Sequence, residues 1–521
     1  MTTRRIVASR QASAHLAAGL HSCRIAVAAP CLLGAAARAA PAQLISIKTV
    51  PVAQAEQFDI FPSENRGMAG VSIALPDTLL DPFVNPATTA RLRGAHFFGS
   101  PAVYSVSHRS GGGRTLPLGA LASSRSWYGG LVLALQEVDP GSEAAPVFSG
   151  PTIDGVGRSV AVPAPSRESH QNSMAVGLLG KRFPQAKLSL GGSVQWAGLN
   201  AIDGVDLLYA GSRGVEQFGH LLDVRLGLLK EWAAERSLQA VLVHNRFRMT
   251  HDVTYVDFLW DPLLAQPVEH PRVDQNLDRT NTWGLHLEYE HPLAASGWRV
   301  GGLVTGNLLS HPKLPNYEIM SIPRDPGHSA AYNFGVGISR IYDSTTFAID
   351  AIYEPIWSNT WAEAAEPIET SLGATIPAGG RTIDNHFRFS NALLRVGVGQ
   401  DLPLGGRSRA AGLQLGLGMR SVHYWLTQHD RVAGTARGQE VRWLEWTPTW
   451  GASLRFPSME LQYRGRVTTG TGRPGVLARG GFDFASASSL GSNILAAPSG
   501  PMTLDGVRVM THQLSVSLPL H

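Results

Sequence analysis

From about residue 95 onward the chain alternates with period two. In "TWGLHLEYEH", Trp283, Leu285, Leu287 and Tyr289 share one face, while Thr282, Gly284, His286, Glu288 and Glu290 share the other. This is the alternation of a strand whose two sides meet different surroundings. Elsewhere Leu188, Leu190, Val194 and Trp196 oppose Lys187, Ser189, Ser193 and Gln195, and Leu413, Leu415, Leu417 and Met419 oppose Gln414, three glycines and Arg420. Met459, Leu461, Tyr463 and Val467 face away from Glu460, Gln462, Arg464 and Arg466. Phe347, Ile349, Ala351 and Tyr353 lie opposite Asp350 and Glu354, and Leu514, Val516, Leu518 and Leu520 lie opposite Ser515 and Ser517.

Strands of a soluble sandwich alternate too, so length and connection rhythm have to decide. The alternating segments run about 10 to 14 residues, against about 5 or 6 for a globular strand and about 9 to 11 for a tilted strand crossing hydrocarbon. Short connections at 183–186, 233–237, 292–297, 342–343, 403–409 and near Pro457 take turns with long polar stretches at about 139–171, 200–220, 251–280, 310–329, 358–386, 425–441 and 471–509. Short turns on one side and long loops on the other are the rhythm of an outer-membrane barrel. An open edge in lipid leaves backbone groups unpaired, so the sheet has to close, with an even strand count. Counting back from the C-terminus, the segments from 126–138 onward make fourteen strands; a further hairpin from "FFGSPAVYSVSHR" and "TLPLGALA" makes sixteen. Trp127, Trp232, Trp283, Trp298, Trp357 and Trp425 fall at segment ends, as interfacial girdles require, whereas Trp446 and Trp450 sit mid-segment like core residues. Pro448 predicts a kink or bulge within its strand.

Composition sharpens this reading. Charged residues are 16%, below the roughly 25% of soluble domains, and 56 glycines and 12 tryptophans suit strands, tight turns and interfaces. The first 42 residues contain five arginines, no acid and the apolar run "IAVAAPCLLGAAA", too short to span a bilayer and suited to a secretory signal with cleavage near Ala39 or Ala42. Without those five arginines the formal charge of +4 becomes −1, so the basic precursor implies no nucleic-acid partner. Both cysteines, Cys23 and Cys31, lie in the same segment, so the mature chain is expected to have no disulfide or thiolate metal site.

Between the signal and the first strand stands "GMAGVSIALPDTLLDPFVNPATTARL", with Gly67, Gly70, Asp81, Pro82, Asn85, Pro86 and Ala87. This stretch resembles the N-terminal signature of the FadL-like outer-membrane transporters of long-chain fatty acids and related hydrophobic compounds. The mid-barrel hairpin at 332–354 is similar to the family's hairpins, though less specifically. The resemblance implies an all-β, closed antiparallel transmembrane barrel at residues 95–521 and an N-terminal hatch, or plug, at 43–94 inside its lumen, following a signal peptide at 1–42. It also implies passive uptake of hydrophobic or amphipathic small molecules in the bacterial outer membrane. Physically, fourteen strands enclose more space than side chains fill, small residues let a backbone pack against the wall, and Asn85 suits a tight turn.

Charges on the inner face, Glu288, Asp350, Glu354, Arg395, Glu460, Arg464 and Arg466, read first as braces for wall and plug. Phe258, Leu259, Trp260, Leu263 and Leu264 are candidates for a ligand-capture loop, and equally for packing loop on loop or dipping into lipopolysaccharide. No GxSxG, HExxH, Walker loop or helix-opening GxGxxG is present, and the loop histidines His251, His270 and His311 lack ligand spacing, so neither an enzyme nor a cofactor or metal is expected. The expected partners are a hydrophobic ligand, outer-membrane lipid and lipopolysaccharide, and the barrel assembly machinery, with the protein a monomer. Two other readings stand beside transport: a barrel of the same superfamily serving as an adaptor for protein secretion or surface attachment, and a soluble exported β-protein.

Overall fold

The computed structural model describes residues 57–107, 111–139, 148–149, 159–160, 170–203, 214–232, 236–261, 263, 266–293, 296–310, 327–364, 366–404, 410–474 and 504–520. The expected signal segment, its cleavage site and both cysteines lie outside these residues.

Sixteen strands follow one another around a single antiparallel sheet. β1 is broken into Gly94–Gly99 and Ala102–Val106; β2 is Gly112–Ser123, β3 Trp127–Asp139, β4 His170–Phe183, β5 Leu188–Leu199, β6 Gly214–Glu231 and β7 Ser237–Asp261. β8 is broken into Gln266–Asp278 and Asn281–Pro292, both halves pairing with β7. β9 is Trp298–Ser310, β10 Gly327–Tyr342, β11 Thr345–Glu363, β12 Arg381–Pro403, β13 Ala410–Asp430, β14 Thr435–Arg455, β15 Glu460–Pro474 and β16 Leu504–Leu520. Each pairs antiparallel with its neighbours, and both halves of β1 pair with β16, which closes the sheet. Two short two-stranded pairs, 148–149 with 159–160 and 368–369 with 375–376, stand apart from it.

The count is therefore sixteen, because the N-terminal hairpin is part of the wall. Closure shows why: β1 supplies the partner that β3 to β16 alone would leave missing. Proline limits the ladder where its nitrogen has no hydrogen to give. Pairing of β14 with β15 skips Thr447 and Pro448, and pairing of β10 with β11 skips Glu354 and Pro355, in both cases without a register shift. The Pro448 irregularity is thus a gap in the ladder, with a register shift on the far side of β15 between Thr468 and Thr471.

Several stretches expected as loops continue as strand. Residues 251–261 and 266–278 form the outer part of the β7–β8 hairpin, and 425–430 with 435–441 form that of β13–β14. β7 reaches 25 residues, far more than the roughly 9 to 11 that cross hydrocarbon, so these hairpins run on beyond the lipid. Polarity misleads there because above the membrane the outward face meets water, although inward residues such as Val253 and Leu426 stay buried.

The two faces differ as the alternation requires. On β3, Leu131, Leu133 and Leu135 are more than half exposed and point outward, while Val132, Ala134 and Gln136 are buried. Leu413, Leu415 and Leu417 on β13, Trp283 and Leu285 on β8 and Leu514 on β16 are also exposed outward. Trp446 is 42% exposed on the same outer face, so it is a lipid-facing residue and not a core one. No helix among the described residues is long and apolar enough to cross a membrane. An apolar outside on a closed, even-stranded antiparallel barrel is the outer-membrane architecture, and the crossing is made by strands.

Leu133 stands six residues above Trp127, near the middle of the outward band. Leu133→Arg is expected to destabilise the barrel by about 2–4 kcal/mol, the cost of a basic side chain at the bilayer midplane. Urea titration of folding into phospholipid vesicles measures it, and an unchanged midpoint contradicts a lipid-facing position.

Candidate functional site

Among its described residues, 57–93, the N-terminal stretch contains no strand. It turns through a 3-10 helix at Arg66–Met68, a single α-turn at Asp81–Val84 and a second 3-10 helix at Pro86–Arg91. Proline at the start of the last two supplies the backbone angle a first helical position needs. Asn85 caps the second 3-10 helix, its Oδ1 accepting from the Ala87 N–H at 3.1 Å. Its Nδ2 donates to Leu228 O at 3.2 Å and to Gln239 Oε1 at 2.9 Å, tying the turn to β6 and β7. The wall makes room for it: a Cβ on Gly191 would stand 2.9 Å from the Pro86 carbonyl carbon, and one on Gly227 would collide with Asn85 itself.

The other motif residues have partners too. Gly70 takes φ +68°, and its carbonyl accepts from Arg395 Nη1 at 3.1 Å. Asp81 accepts from the Asp77 N–H at 3.0 Å, and Asp77 is the hub that composition did not reveal. One Asp77 oxygen accepts from Ser63 Oγ at 2.6 Å and the Asn65 N–H at 3.1 Å, and the other accepts from the Leu79 and Leu80 N–H groups at 3.2 and 3.0 Å. Only its offsets from Leu79 and Leu80 hint at this in the sequence, since an Asp that precedes a turn commonly accepts from the N–H groups two and three residues on.

The inner-face charges hold this stretch and each other. Asp350 accepts from the Ser72 N–H at 2.7 Å, Arg225 donates to Phe83 O at 2.8 Å, and Arg66 donates to Gln513 at 2.6 Å. Arg466 pairs with Asp59 at 2.9 Å and Arg91 with Glu231 at 3.2 Å. Glu354 pairs with Arg420 at 2.8 Å, Glu288 shares a hydrogen bond with His286 at 3.3 Å, and Arg464 donates to Gln462. The partners come from β6, β11, β12, β15 and β16, on widely separated parts of the wall. No group of three or more His, Cys, Asp or Glu side chains among the described residues is placed to hold a metal ion.

Toward the long-loop end, the inner face becomes apolar. Phe387 and Phe389 of β12, Tyr424 and Leu426 of β13 and Ile356 of β11 form one buried cluster, with Trp443 of β14 against it. The Phe389 and Tyr424 rings are 5.1 Å apart, and Trp443 meets Tyr424 edge-on at 6.5 Å. A second inward cluster joins Met174, Leu199, Met249 and Val253 of β4, β5 and β7 to Ile60. The sequence carries the signal: Leu413, Leu415 and Leu417 point out, so by unbroken parity Val422, Tyr424 and Leu426 point in.

The proposed capture residues fall differently. Phe258, Leu259 and Trp260 belong to β7, with its backbone paired to β8, so they are not in a loop. Leu263 is 94% exposed in the tight connection between them. Leu264 lies outside the described residues.

No protein-family model and no curated protein sequence matches the chain. Among solved structures, a Pseudomonas aeruginosa FadL homologue is 12% identical over 88% of this chain and 99% of its own, with a TM-score of 0.42. CdiB from Escherichia coli is 11% identical over 81% of this chain and 63% of its own (TM-score 0.39). The Pseudomonas putida toluene transporter TodX is 12% identical over 92% and 100% (TM-score 0.37). At such distances the fold assignment rests on the chain's own strand pairing.

Burial, with the Asp77 carboxylate adding to it, pushes Glu64 up to about 7. Burial raises Asp81 well above the usual carboxylate range as well, Asp77 and Glu288 adding to it. Raised folded-state values favour the neutral carboxyl in the folded protein. The stability Glu64 supplies is therefore complete below its ordinary value of 4.5 and is lost as pH rises through about 7. The urea midpoint is expected to fall between about pH 5 and about pH 8, and Glu64→Gln to fall less. An equal fall in wild type and variant contradicts the assignment. Asn85→Ala, which strands Gln239 and an N–H, is expected to cost about 1–3 kcal/mol in the same titration.

Proposed function

We propose that the protein is an outer-membrane channel, not an enzyme, for passive entry of hydrophobic or amphipathic small molecules such as long-chain fatty acids. The observation that carries this reading is the buried apolar, aromatic cluster on the inner face near the long-loop end, centred on Phe387, Phe389 and Tyr424. A pore for sugars or ions is lined by polar groups that replace water, and aromatic rings there would only be wetted at a cost. A ligand pocket, by contrast, is mostly apolar with a few fixed polar groups. Below the cluster stands the buried Glu354–Arg420 pair, followed by the N-terminal stretch.

In this reading residues 43–94 form the plug, with Asn85, Pro86, Ala87, Asp81 and Gly70 as its seating points; residues 43–56 lie outside the described residues. The many hydrogen bonds from 57–92 to the inner wall support a stopper that stays in place without ligand. The ligand sheds water against the aromatic cluster, its carboxylate or other polar end faces Arg420, and passage requires the plug to give way. No energy source enters: the driving force is the concentration gradient and the burial of an alkyl chain, worth about 0.8 kcal/mol per methylene.

The test is uptake of radiolabelled oleate by vesicles containing the purified barrel. Uptake above protein-free vesicles is expected, with Phe389→Asp and Tyr424→Lys reducing it roughly tenfold while the barrel still folds. Equal uptake with and without protein, together with stable co-purification of another polypeptide, would replace transport with the adaptor reading.

A further inference from the structure

The outer face carries a polar group that the lumen does not use. Trp357 of β11, Arg388 of β12 and Trp425 of β13 are register partners on one cross-strand rung. Two rungs nearer the long-loop end, on the same face, stand Asn359, His386 and Thr427. Together they line an outward cleft of about 410 Å³. His386 Nδ1 donates to Asn359 Oδ1 at 2.7 Å, and Asn359 Nδ2 donates to His328 Nε2 at 3.2 Å, which fixes the imidazole and amide in place.

Arg388 differs from other arginines of this wall. Arg381 and Arg431 share Asp384, Arg420 has Glu354, and Arg455 has Asp401 and Glu460. Arg388 lies 5.9 Å from the Trp425 ring and has no carboxylate partner among the described residues. Its depth matters. From the outward rung of Phe347, Val398 and Leu415 to the Trp357 rung is ten residues along β11. At about 3.3 Å per residue and a tilt of about 40°, that rise is about 25 Å, the height of the apolar band of such barrels. The rung therefore sits at the hydrocarbon boundary on the long-loop side, which is the cell exterior in this architecture. A cation at that depth, flanked by two tryptophans, faces the headgroups of the outer leaflet.

We propose that this cleft binds the phosphorylated sugar headgroup of an outer-leaflet glycolipid. Arg388 takes the phosphate, for which its planar donors are suited. Trp357 and Trp425 pack on the faces of the sugar rings, Asn359, His386 and Thr427 meet ring hydroxyls, and the acyl chains run down the Leu394, Leu415 and Leu417 surface. A glycerophospholipid has the phosphate but no ring to cover the two indoles. At the opposite girdle Lys181, Lys230 and Arg340 also lie over aromatic rings, Trp127, Trp232 and Trp298, and Arg340 lines a cleft of its own, so the position on the long-loop side and the Asn359, His386 and Thr427 side chains are what set the Arg388 cleft apart. The site is independent of what passes through the lumen.

Native mass spectrometry of the full-length protein in detergent tests this, with three probes: bisphosphorylated lipid A, the same lipid A stripped of phosphate, and phosphatidylglycerol. Wild type is expected to retain the bisphosphorylated probe in preference to the other two, with Arg388→Gln weakening it roughly tenfold and Arg340→Gln leaving it unchanged. Heat-dependent gel mobility reports whether each variant has folded, and His386→Ala gives a second arm in which a several-fold loss is expected. Equal retention by wild type and the folded Arg388 or His386 variants overturns the site. So does retention of phosphate-free lipid A or phosphatidylglycerol as tight as that of the bisphosphorylated probe.

Discussion

Hydrocarbon offers no partner to a peptide N–H or C=O, and each group left unpaired there costs several kcal/mol. The rest of the structure depends on that constraint. It makes the first strand pair with the last, it makes the strand number even, and it confines irregular backbone to places where lipid does not reach. The two broken strands and the proline gaps show how little departure the wall accepts: at Pro448 and at Pro355 two rungs each are lost, but the register on either side is kept. With register kept, parity is kept, and every outward leucine fixes an inward neighbour.

That coupling turns a one-dimensional pattern into two surfaces. The outward one is uniform, leucine and aromatic, because lipid is uniform. The inward one varies with height. Near the short-turn end it is polar and glycine-rich and meets the N-terminal stretch through hydrogen bonds from Asp350, Arg395, Arg225 and Asn85. Toward the long-loop end it becomes aromatic, with the Glu354–Arg420 pair between the two zones. A buried pair of this kind is held by its geometry more than it stabilises the fold, since desolvation offsets much of its attraction.

Much of the fold was legible in the sequence because strand alternation and connection length are local properties. The outward faces of β5, β8, β13 and β16 and most of the short turns could be read directly. The strand number could not, because "FFGSPAVYSVSHR" contains a Ser-Pro break and only closure with β16 makes it wall. The outer halves of β7 and β13 were hidden because polar residues on both sides look like loop. At the site, Asn85 and Gly70 announced a turn, but Asp77 did not stand out, since its role depends on N–H groups that only the folded backbone gathers. Phe387, Phe389, Tyr424 and Leu426 were missed for a different reason: their inward direction follows from counting parity up from Leu415, not from their own neighbourhood.

The most direct test of the whole account is depth-resolved quenching of single labelled positions along β3 by nitroxide-bearing lipids. Labels at Leu131, Leu133 and Leu135 are predicted to be quenched strongly, and labels at Val132, Ala134 and Gln136 weakly, in strict alternation. Equal quenching of both sets, or stronger quenching of the second, would mean that lipid does not wet the leucine face and that the barrel assignment is wrong.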